Sequence, residues 1–373
     1  MNNFLSIVWY RVLPPDYGGQ KGIAHFNYHL GKRVPLTCLC SANTADDGKL
    51  SYELVNELPL SKYQFWNPLV RRRILSFIRK RKFTHIIIEH PWHGWLGNYK
   101  KKYGFRFILH AHNVEHLRIK EKHKLWWRLL KKTEQQAFKS ADHVLFKTAG
   151  DIATAINLFD IPAEKCLIVP YGITETAQPV PDAVLKGQLR TKYKIAPDEK
   201  MVLFAGSLDY QPNAEALAVL TDHVLRLLRK QEFRFRLIIC GNLPNKRLRE
   251  LNSISGVTAT GFVPSIRDYL QSADVFVNPV THGSGIQTKN IDAIAQGCNV
   301  VCTGFAATGL PGYVVNKKVF TSPDNDWKEF AENIVIASSR QNDVPLQFYI
   351  DYNWQNIIDH LLAQVVSPEQ DKS

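Results

Sequence analysis

The chain has 373 residues, of which 45% are hydrophobic and 22% are charged. These proportions are typical of a soluble globular protein and exclude a low-complexity chain, while the length favours two domains. Lys and Arg number 47 against 34 Asp and Glu, so the formal charge is +13 and we expect an anionic partner or surface.

No apolar run approaches the roughly 20 residues that a membrane span needs. The short run Phe4 to Tyr10 lacks the cleavage site of a signal peptide. We therefore expect a cytoplasmic protein, with any membrane contact peripheral and at the inner face. The six cysteines contain no Cys-x-x-Cys pair and lie mostly in apolar runs, so we expect reduced thiols and no bound metal.

The first half of the chain alternates short apolar runs with helical patterns, which predicts a parallel, doubly wound α/β sheet. A strand over 5–10 leads to Gly18 and Gly19, which precede a helix predicted over 23–32. Glycines at a helix N-terminus let backbone N–H groups approach a phosphate, although a lone Gly-Gly pair is more often a simple tight turn.

Asn67 and Pro68 predict a helix that starts there and runs to about Lys82. Further along, a strand is predicted over 106–112, and His112 stands at its end. Since ligands bind at this edge of open α/β sheets, His112 is a candidate ligand contact; the alternative is that it satisfies a backbone group.

Two predicted helices are strongly basic, namely the helix that starts at Asn67 and Pro68, over its residues 71–82, and a helix over 117–140. The second interleaves lysine with tryptophan, as interfacial membrane helices do, but a core-facing helix with a solvated cationic rim has the same pattern. Both helices suit a surface near anionic lipid headgroups.

The second half repeats the strand and helix alternation after a stretch rich in Thr and Pro. We predict an N-terminal domain over 1–173, a linker over 174–200, a C-terminal domain over 201–345, and a last helix over 346–366 that packs back on the N-terminal domain.

The segment His282–Asp292 follows an apolar run and carries Gly283 and Gly285 before a predicted helix. Its glycines and the helix N-terminus would present N–H groups to an anion. If the helix starts near Gly285, then Gly285, Lys289 and Asp292 stack on one face. Such a face suits a nucleotide diphosphate-sugar, and an ordinary strand-to-helix turn is the alternative. All the glycine turns follow strands, so we expect them to line one cleft, which favours a nucleotide site.

With these motifs the sequence resembles the retaining GT-B glycosyltransferases of family 4, most specifically over residues 200–311. The segments that resemble family motifs are Phe204–Asn213 (F-x-G-S-x-x-x-x-P-N), Gly285–Ala295 (G-S-G-T-R-x-K-x-x-E-A-M-A), Val300–Leu310 (V-V-x-T-x-x-x-x-E-G-L), Gly18-Gly19 (G-G), His112–Glu115 (H-N-V-E) and Pro170–Gly172 (P-N-G).

The resemblance implies two Rossmann-like domains that face a cleft. It implies retaining transfer of a sugar from a nucleotide diphosphate-sugar to a polysaccharide, glycolipid or other saccharide acceptor, with no cofactor and no obligatory metal. No nucleic-acid-binding motif accompanies the positive charge, so we do not expect nucleic acid as a partner.

The same resemblance assigns roles to residues. His112 would lie beside the transferring sugar as the catalytic residue, and Asp292 would hold ribose hydroxyls. Lys289, Gly206, Ser207 and the backbone of Gly285 and Ile286 would hold the diphosphate. Residues 261–263 would flank the base, and Gly18 and Gly19 would close on the phosphates from the other domain. The implied donor-binding residues are Gly18, Gly19, Gly206, Ser207, Gly261, Phe262, Val263, Ser284, Gly285, Ile286, Gln287, Lys289 and Asp292.

Five residues depart from the family's usual pattern. Asp292 and Thr308 stand in place of glutamates, Gln287 in place of an arginine and Tyr171 in place of an asparagine. The family's commoner E-x7-E pattern is also absent, since Ser284 lies eight residues before Asp292. These changes leave open a second reading, in which the chain is a catalytically inactive GT-B subunit that binds a nucleotide-sugar or a partner enzyme.

Overall fold

The structure is a computed structural model that describes residues 2–15, 18–45, 48–61, 63–120, 127–283 and 285–366, with residues 118–120 described by their backbone alone. The chain divides into two compact units. Unit 1 runs to Gly172 and resumes at Tyr352, and unit 2 is Ile173–Asp351.

Unit 1 is built on a parallel sheet. Its strands are β1 (Phe4–Val8), β2 (Leu36–Ser41), β3 (Glu53–Leu58), β4 (His85–Glu89), β5 (Arg106–His110), β6 (His143–Phe146) and β7 (Cys166–Ile168). Their order across the sheet is β3-β2-β1-β4-β5-β6-β7. The central strands β1 and β4 are buried at every residue, as expected for strands that are covered on both faces.

Helices cover this sheet. They are α1 (Gly18–Gly31), α2 (Pro68–Arg81), α3 (Lys100–Tyr103), α4 (Glu115–Lys120), α5 (Trp127–Ser140) and α6 (Ala149–Phe159), with 3₁₀ turns at Gln64–Trp66, Pro91–Tyr99 and Ala163–Lys165. The predicted start of α2 is confirmed, because the side chain of Asn67 accepts a hydrogen bond from the N–H of Leu69 at 2.9 Å.

Two helix predictions differ from the structure. Helix α1 begins at Gly18, so the two glycines form its first turn rather than a turn before it. The side chain of buried Gln20, which donates to the carbonyl of Arg11 at 2.9 Å, adds an inward-facing contact one turn before the apolar pattern starts. The helix predicted over 117–140 is present as α4 and α5, and residues 121–126 lie outside the described part of the chain.

Unit 2 repeats the architecture. Its strands are β8 (Lys200–Ala205), β9 (Phe235–Cys240), β10 (Val257–Gly261), β11 (Val275–Asn278), β12 (Val300–Thr303) and β13 (Val319–Ser322). They form a parallel sheet in the order β10-β9-β8-β11-β12-β13. In each unit the strand order reverses next to the first strand, at the β1/β4 pair and at the β8/β11 pair, where Rossmann-like folds bind ligands.

The helices of unit 2 are α7 (Ala183–Lys192), α8 (Gln211–Val219), α9 (Leu225–Lys230), α10 (Asn245–Asn252), α11 (Ile266–Ser272), α12 (Thr288–Ala295), α13 (Gly304–Ala307), α14 (Trp327–Ser339) and α15 (Leu346–Tyr352). A π-helical turn over Leu220–Val224 joins α8 to α9, and a 3₁₀ turn spans Gly312–Val314. Helix α7 occupies part of the segment that was predicted as a linker over 174–200. The cause is Asp182, whose carboxylate caps the helix by accepting from the N–H of Leu185 at 2.9 Å.

The last helix of the described chain, α16 (Trp354–Val365), belongs to unit 1 and packs on α1. Arg33, two residues after the end of α1, forms an ion pair at 2.7 Å with Asp359 of α16. The single helix predicted over 346–366 is therefore two helices. Asn353 separates them as the N-cap of α16, accepting from the N–H of Gln355 at 2.9 Å.

Among the helices of the described residues, none combines the length and the apolar character that crossing a bilayer requires. All six cysteines are free thiols, and all but Cys166 are buried, as the sequence predicted.

Candidate functional site

Two glycine turns follow neighbouring strands of unit 2. The paired strands β8 and β11 run parallel, so their carboxyl ends lie at the same edge of the sheet. Gly206 and Ser207 come directly after β8, and Gly283 and residues 285–287 lie between β11 and α12. The structure therefore brings two of the sequence-predicted donor segments to the switch point of one sheet.

Asn213 links the two turns. Its side-chain N–H group donates to the carbonyl of Ser207 at 2.8 Å, and its oxygen accepts from the Lys289 ammonium group at 2.8 Å. A Cβ atom at Gly206 would lie 2.8 Å from the Asn213 nitrogen. Glycine at 206 is thus what allows Asn213 to reach Lys289.

Lys289 is a partly buried cation. Its ammonium group lies 5.4 Å from the centre of the Phe204 ring. Burial lowers the pKa of Lys289 to about 7. Throughout the described residues, no carboxylate pairs with this group to offset the burial. An anion placed here would therefore gain both a hydrogen bond and relief of an uncompensated charge.

The turn before α12 differs from the sequence prediction. The helix starts at Thr288 rather than near Gly285, because Gly285 adopts a left-handed conformation, with φ of 74°, that ends any helical path through it. Lys289 and the partly buried Asp292 remain three residues apart and so lie on one side of α12. Gln287, the N-cap residue, makes no side-chain cap, which leaves the helix N-terminus without that partner.

The other predicted donor residues of unit 2 lie at the same edge or just beyond it. Gly261 ends β10, Phe262 after it is 72% exposed, and Val263 is partly buried. Ile286 is partly buried in the turn before α12. Ser284 lies outside the described residues.

In unit 1 the predicted residues fall at two places. Gly18 and Gly19 form the N-terminus of α1, and Gly19 is exposed. His112 follows β5, and its Nε2 atom lies 2.6 Å from the carboxylate of Glu89, the last residue of β4.

Sequence reasoning missed the residues around His112. His110 joins the same carboxylate through Nδ1, 3.1 Å from Glu89, and its Nε2 atom lies 2.8 Å from the ammonium group of buried Lys147. Lys147 follows β6, so strands β4, β5 and β6 each contribute at their carboxyl ends. The available signal was a charged residue at the end of an apolar run, as in Ile86-Ile87-Ile88-Glu89.

A second chain of hydrogen bonds lies against this cluster. His90 has a positive φ of 68°, and its Nδ1 and Nε2 atoms lie 3.0 Å from Glu115 and 3.2 Å from the Tyr10 hydroxyl group. Its ring lies 4.6 Å from that of His112. Strained backbone of this kind collects at functional sites, where surrounding contacts hold it in place.

The cluster keeps its imidazoles neutral. Burial lowers the pKa values of His110 and His112, and it lowers the pKa of Lys147 to about 8. Burial by itself would raise the pKa of Glu89, but the rings of His110 and His112 outweigh it and lower that pKa. Glu89 is therefore an anion that receives hydrogen bonds from neutral rings.

Glu89, His110 and His112 also have the spacing of a metal site, since their ligand atoms all lie within 4.8 Å of one another. Lys147 argues against a metal there, because its ammonium group donates to His110 and adds positive charge beside the position that a cation would take. Hydrogen bonds among the four side chains account for their arrangement.

Comparison with known proteins covers both units. The family model described as Glycosyltransferase Family 4 matches residues 25–176, and the model described as Glycosyl transferases group 1 matches residues 199–339. An uncharacterized 44.6 kDa protein in the cps region of Klebsiella pneumoniae is 29% identical over 145 residues, which is 37% of each chain. That alignment thus spans little more than a third of the relative's length.

Solved structures match over nearly the full chain. HepE of Anabaena in complex with UDP has a TM-score of 0.74 at 13% identity and covers 98% of this chain and 100% of that chain. Sucrose-phosphate synthase from Thermosynechococcus elongatus has a TM-score of 0.72 at 15% identity, with 98% and 99% covered. At such low identity these matches establish the fold, which is GT-B, the prediction made from the sequence. Because the two family models together match most of the chain, one in each half, this protein belongs to the group 1, family 4 glycosyltransferases.

Proposed function

We propose that this protein transfers a sugar from a nucleotide diphosphate-sugar to a polysaccharide, glycolipid or other saccharide acceptor, with retention of the anomeric configuration. The observation that carries this proposal is Lys289, a partly buried ammonium group without a carboxylate partner among the described residues, placed where two glycine turns end neighbouring strands. A diphosphate supplies the negative charge that this arrangement lacks.

The remaining donor contacts follow from the chemistry of the side chains. Asp292 can accept hydrogen bonds from the ribose hydroxyl groups, and the exposed ring of Phe262 can cover a base. Gly18 and Gly19, at the N-terminus of α1, remain a predicted phosphate contact. HepE, which shares the fold, has been solved with UDP and with UDP-glucose, so UDP-sugars are the first donors to test.

Transfer requires that negative charge be stabilised as the nucleoside diphosphate leaves. Lys289 and the N-terminus of α12 can supply that stabilisation without a metal ion. His112, fixed at the end of β5, is the candidate contact to the transferring sugar. We therefore expect activity in the presence of EDTA.

The acceptor side of the proposal rests on charge. Exposed basic residues without a described carboxylate partner include Arg72, Arg79 and Lys80 on α2, and Lys132 is exposed on α5. Exposed Leu69 and Leu129 lie on the same helices. Anionic headgroups stabilise such a surface by about 1 kcal/mol per nearby cation. We propose peripheral contact with the cytoplasmic face of a membrane that carries the acceptor.

A direct experiment begins with thermal-shift measurements of the purified protein against UDP-, GDP- and other nucleotide-sugars, since a ligand of the folded state raises its stability. The donor that binds is then incubated with saccharide and lipid-linked acceptors, and the anomeric configuration of the product is read by NMR. An inverted product would refute retention.

The alternative hypothesis is that the protein is a GT-B subunit that binds a nucleotide-sugar without turnover. Asp292 and Gln287, which stand where the family usually has a glutamate and an arginine, favour this hypothesis. Lys289→Ala and Asp292→Ala separate the two readings. If the protein is an enzyme, both variants lose transfer; if binding persists in the wild type without transfer to any acceptor, the inactive subunit is the correct reading.

A further inference from the structure

Glu89 is a buried carboxylate that the proposed donor site does not use. It is 1% exposed, it ends β4 at the switch point of the unit 1 sheet, and it contacts His112 and His110. Burying a carboxylate is costly unless hydrogen bonds compensate for the lost water. The two imidazole rings provide that compensation, so the arrangement is a defined network rather than a chance contact.

The proton positions in this network follow from what each group can donate. The Lys147 ammonium group has hydrogen-bond donors and no acceptor, so Nε2 of His110 must accept at the 2.8 Å contact. Nδ1 of His110 then carries the proton and donates to Glu89. Lys147 thereby fixes one tautomer of His110 and balances the charge of Glu89 through that ring.

The same reasoning fixes His112. An ionised carboxylate can only accept, so Nε2 of His112 carries the proton at the 2.6 Å contact with Glu89. Because burial keeps the ring neutral, Nδ1 of His112 keeps its lone pair, and among the described residues no group donates to it. The rings of His90 and His110, centred 4.6 Å and 4.4 Å away, hold the plane of His112.

We propose that Glu89 is a positioning residue for His112: it holds the ring with its proton on Nε2, so that Nδ1 accepts a hydrogen bond from a hydroxyl group of the transferring sugar. The role toward the sugar rests on the proposed function, whereas the tautomer of His112 does not. If Nδ1 of His112 accepts a hydrogen bond, the site favours a sugar with a hydroxyl group at this position. It disfavours a sugar with a carboxylate there, because a carboxylate is also an acceptor.

Glu89→Gln gives a specific prediction. An amide offers one acceptor oxygen and one donor group to the two rings. His110 is held by Lys147 and needs the oxygen, so the amide N–H group faces His112. Nε2 of His112 must then accept, and its proton moves to Nδ1, which makes His112 a donor toward the sugar.

Nitrogen NMR reads this directly. In protein labelled with ¹⁵N-histidine, with the His112 signals assigned by their loss in His112→Gln, the wild type should show a pyrrole-like Nε2 and a pyridine-like Nδ1. Glu89→Gln should exchange the two. A wild type with its proton on Nδ1, or a Glu89→Gln variant with an unchanged His112, would overturn the proposal.

Kinetics supply the second readout. With the donor found above, Glu89→Gln should lower kcat about 10- to 100-fold, the loss typical when a partner that orients a ligand-contacting histidine is replaced. The KM of the donor should change less than about twofold. If the substitution prevents folding, Glu89→Asp, which keeps the acceptor-only charge, should retain the wild-type tautomer and more of the activity.

Asp142→Asn is the matched control. Asp142 is a second hydrogen-bonded carboxylate of unit 1, less buried than Glu89, and it accepts from the N–H of Phe107 at 2.8 Å. It precedes β6 and so lies at the opposite edge of the sheet. The Asp142→Asn variant should have a lower free energy of unfolding than the wild type, and its kcat should stay within about twofold of the wild-type value. Equal losses of kcat in Asp142→Asn and Glu89→Gln would refute a positioning role. A wild type that transfers no sugar but shows the stated tautomer would count against the proposed function alone.

Discussion

The ammonium group of Lys289 lies 2.8 Å from the side-chain oxygen of Asn213, and this contact joins the two glycine turns of unit 2. Asn213 belongs to α8 and Lys289 to α12, so two helix N-terminal regions meet there. The amide is neutral, so it orients the cation without discharging it. The pair therefore keeps a positive charge available for an anionic ligand.

Replacement of Lys289 by methionine should weaken UDP binding. A hydrogen bond to a charged group contributes about 1.5–3 kcal/mol, which is roughly 10- to 150-fold in Kd. Titration calorimetry with UDP measures the change. Lys328→Met, at an exposed lysine of α14, is the control and should bind as the wild type does. Unchanged UDP affinity in Lys289→Met would remove Lys289 from the site.

Affinity for UDP should fall as the pH rises above 7. The pKa of Lys289 is lowered to about 7, so the free protein loses the required proton over this range, and binding must recover it. The fall should approach tenfold per pH unit. Between pH 7 and 8.5 the phosphate groups are already ionised and do not contribute.

Lys289→Arg tests the origin of that dependence, because a guanidinium group stays protonated throughout. Its UDP affinity should be nearly constant from pH 7 to 8.5.

The stability of the unliganded wild type should depend on pH in the opposite direction. Above pH 7 the unfolded chain holds the Lys289 proton more tightly than the folded protein does, so the free energy of unfolding should rise with pH. A flat affinity profile in the wild type would contradict the assignment.

Gly206→Ala should impair binding through Asn213. The added Cβ would lie 2.8 Å from the Asn213 nitrogen, so that side chain must move away from Lys289, and we expect about a tenfold loss of UDP affinity. Gly187→Ala is the matched control, since nothing lies within 4 Å of its Cβ position in α7. It should leave UDP binding unchanged and raise the free energy of unfolding by about 0.5–1 kcal/mol.

Charge reversal should abolish membrane association. A variant with Arg72, Arg79, Lys80 and Lys132 changed to Glu should fail to float with anionic liposomes, because each cation contributes about 1 kcal/mol near the surface. The control reverses four exposed cations of unit 2, namely Arg226, Lys230, Lys246 and Lys328. Flotation that survives the first variant, or is lost equally in the second, would refute a specific contact through α2 and α5.

The sequence determined the class of fold. Alternating apolar runs and helical patterns give parallel strands with crossover helices because buried strands need cover on both faces. Local signals also sufficed where a single side chain acts on its own backbone, as Asn67 does at the start of α2. The motif at 285–292 also predicted that Lys289 and Asp292 lie on one side of a helix, because residues three apart in sequence are neighbours on a helix surface.

Other features needed the tertiary structure. Helix α12 starts at Thr288 rather than Gly285 because the conformation of Gly285 is set by the turn around it. The burial that lowers the pKa of Lys289 comes from residues far away along the chain, such as Phe204.

The cluster around His112 also shows what the sequence predicted and what needed the tertiary structure. The sequence selected His112 by its position after a strand and by family resemblance, and it left Glu89 and Lys147 as ordinary residues at strand ends. Only the order of β4, β5 and β6 in one parallel sheet brings the three carboxyl ends together. Strand order depends on which distant segments pair, and hydrogen bonds between those segments decide which nitrogen of His112 holds its proton.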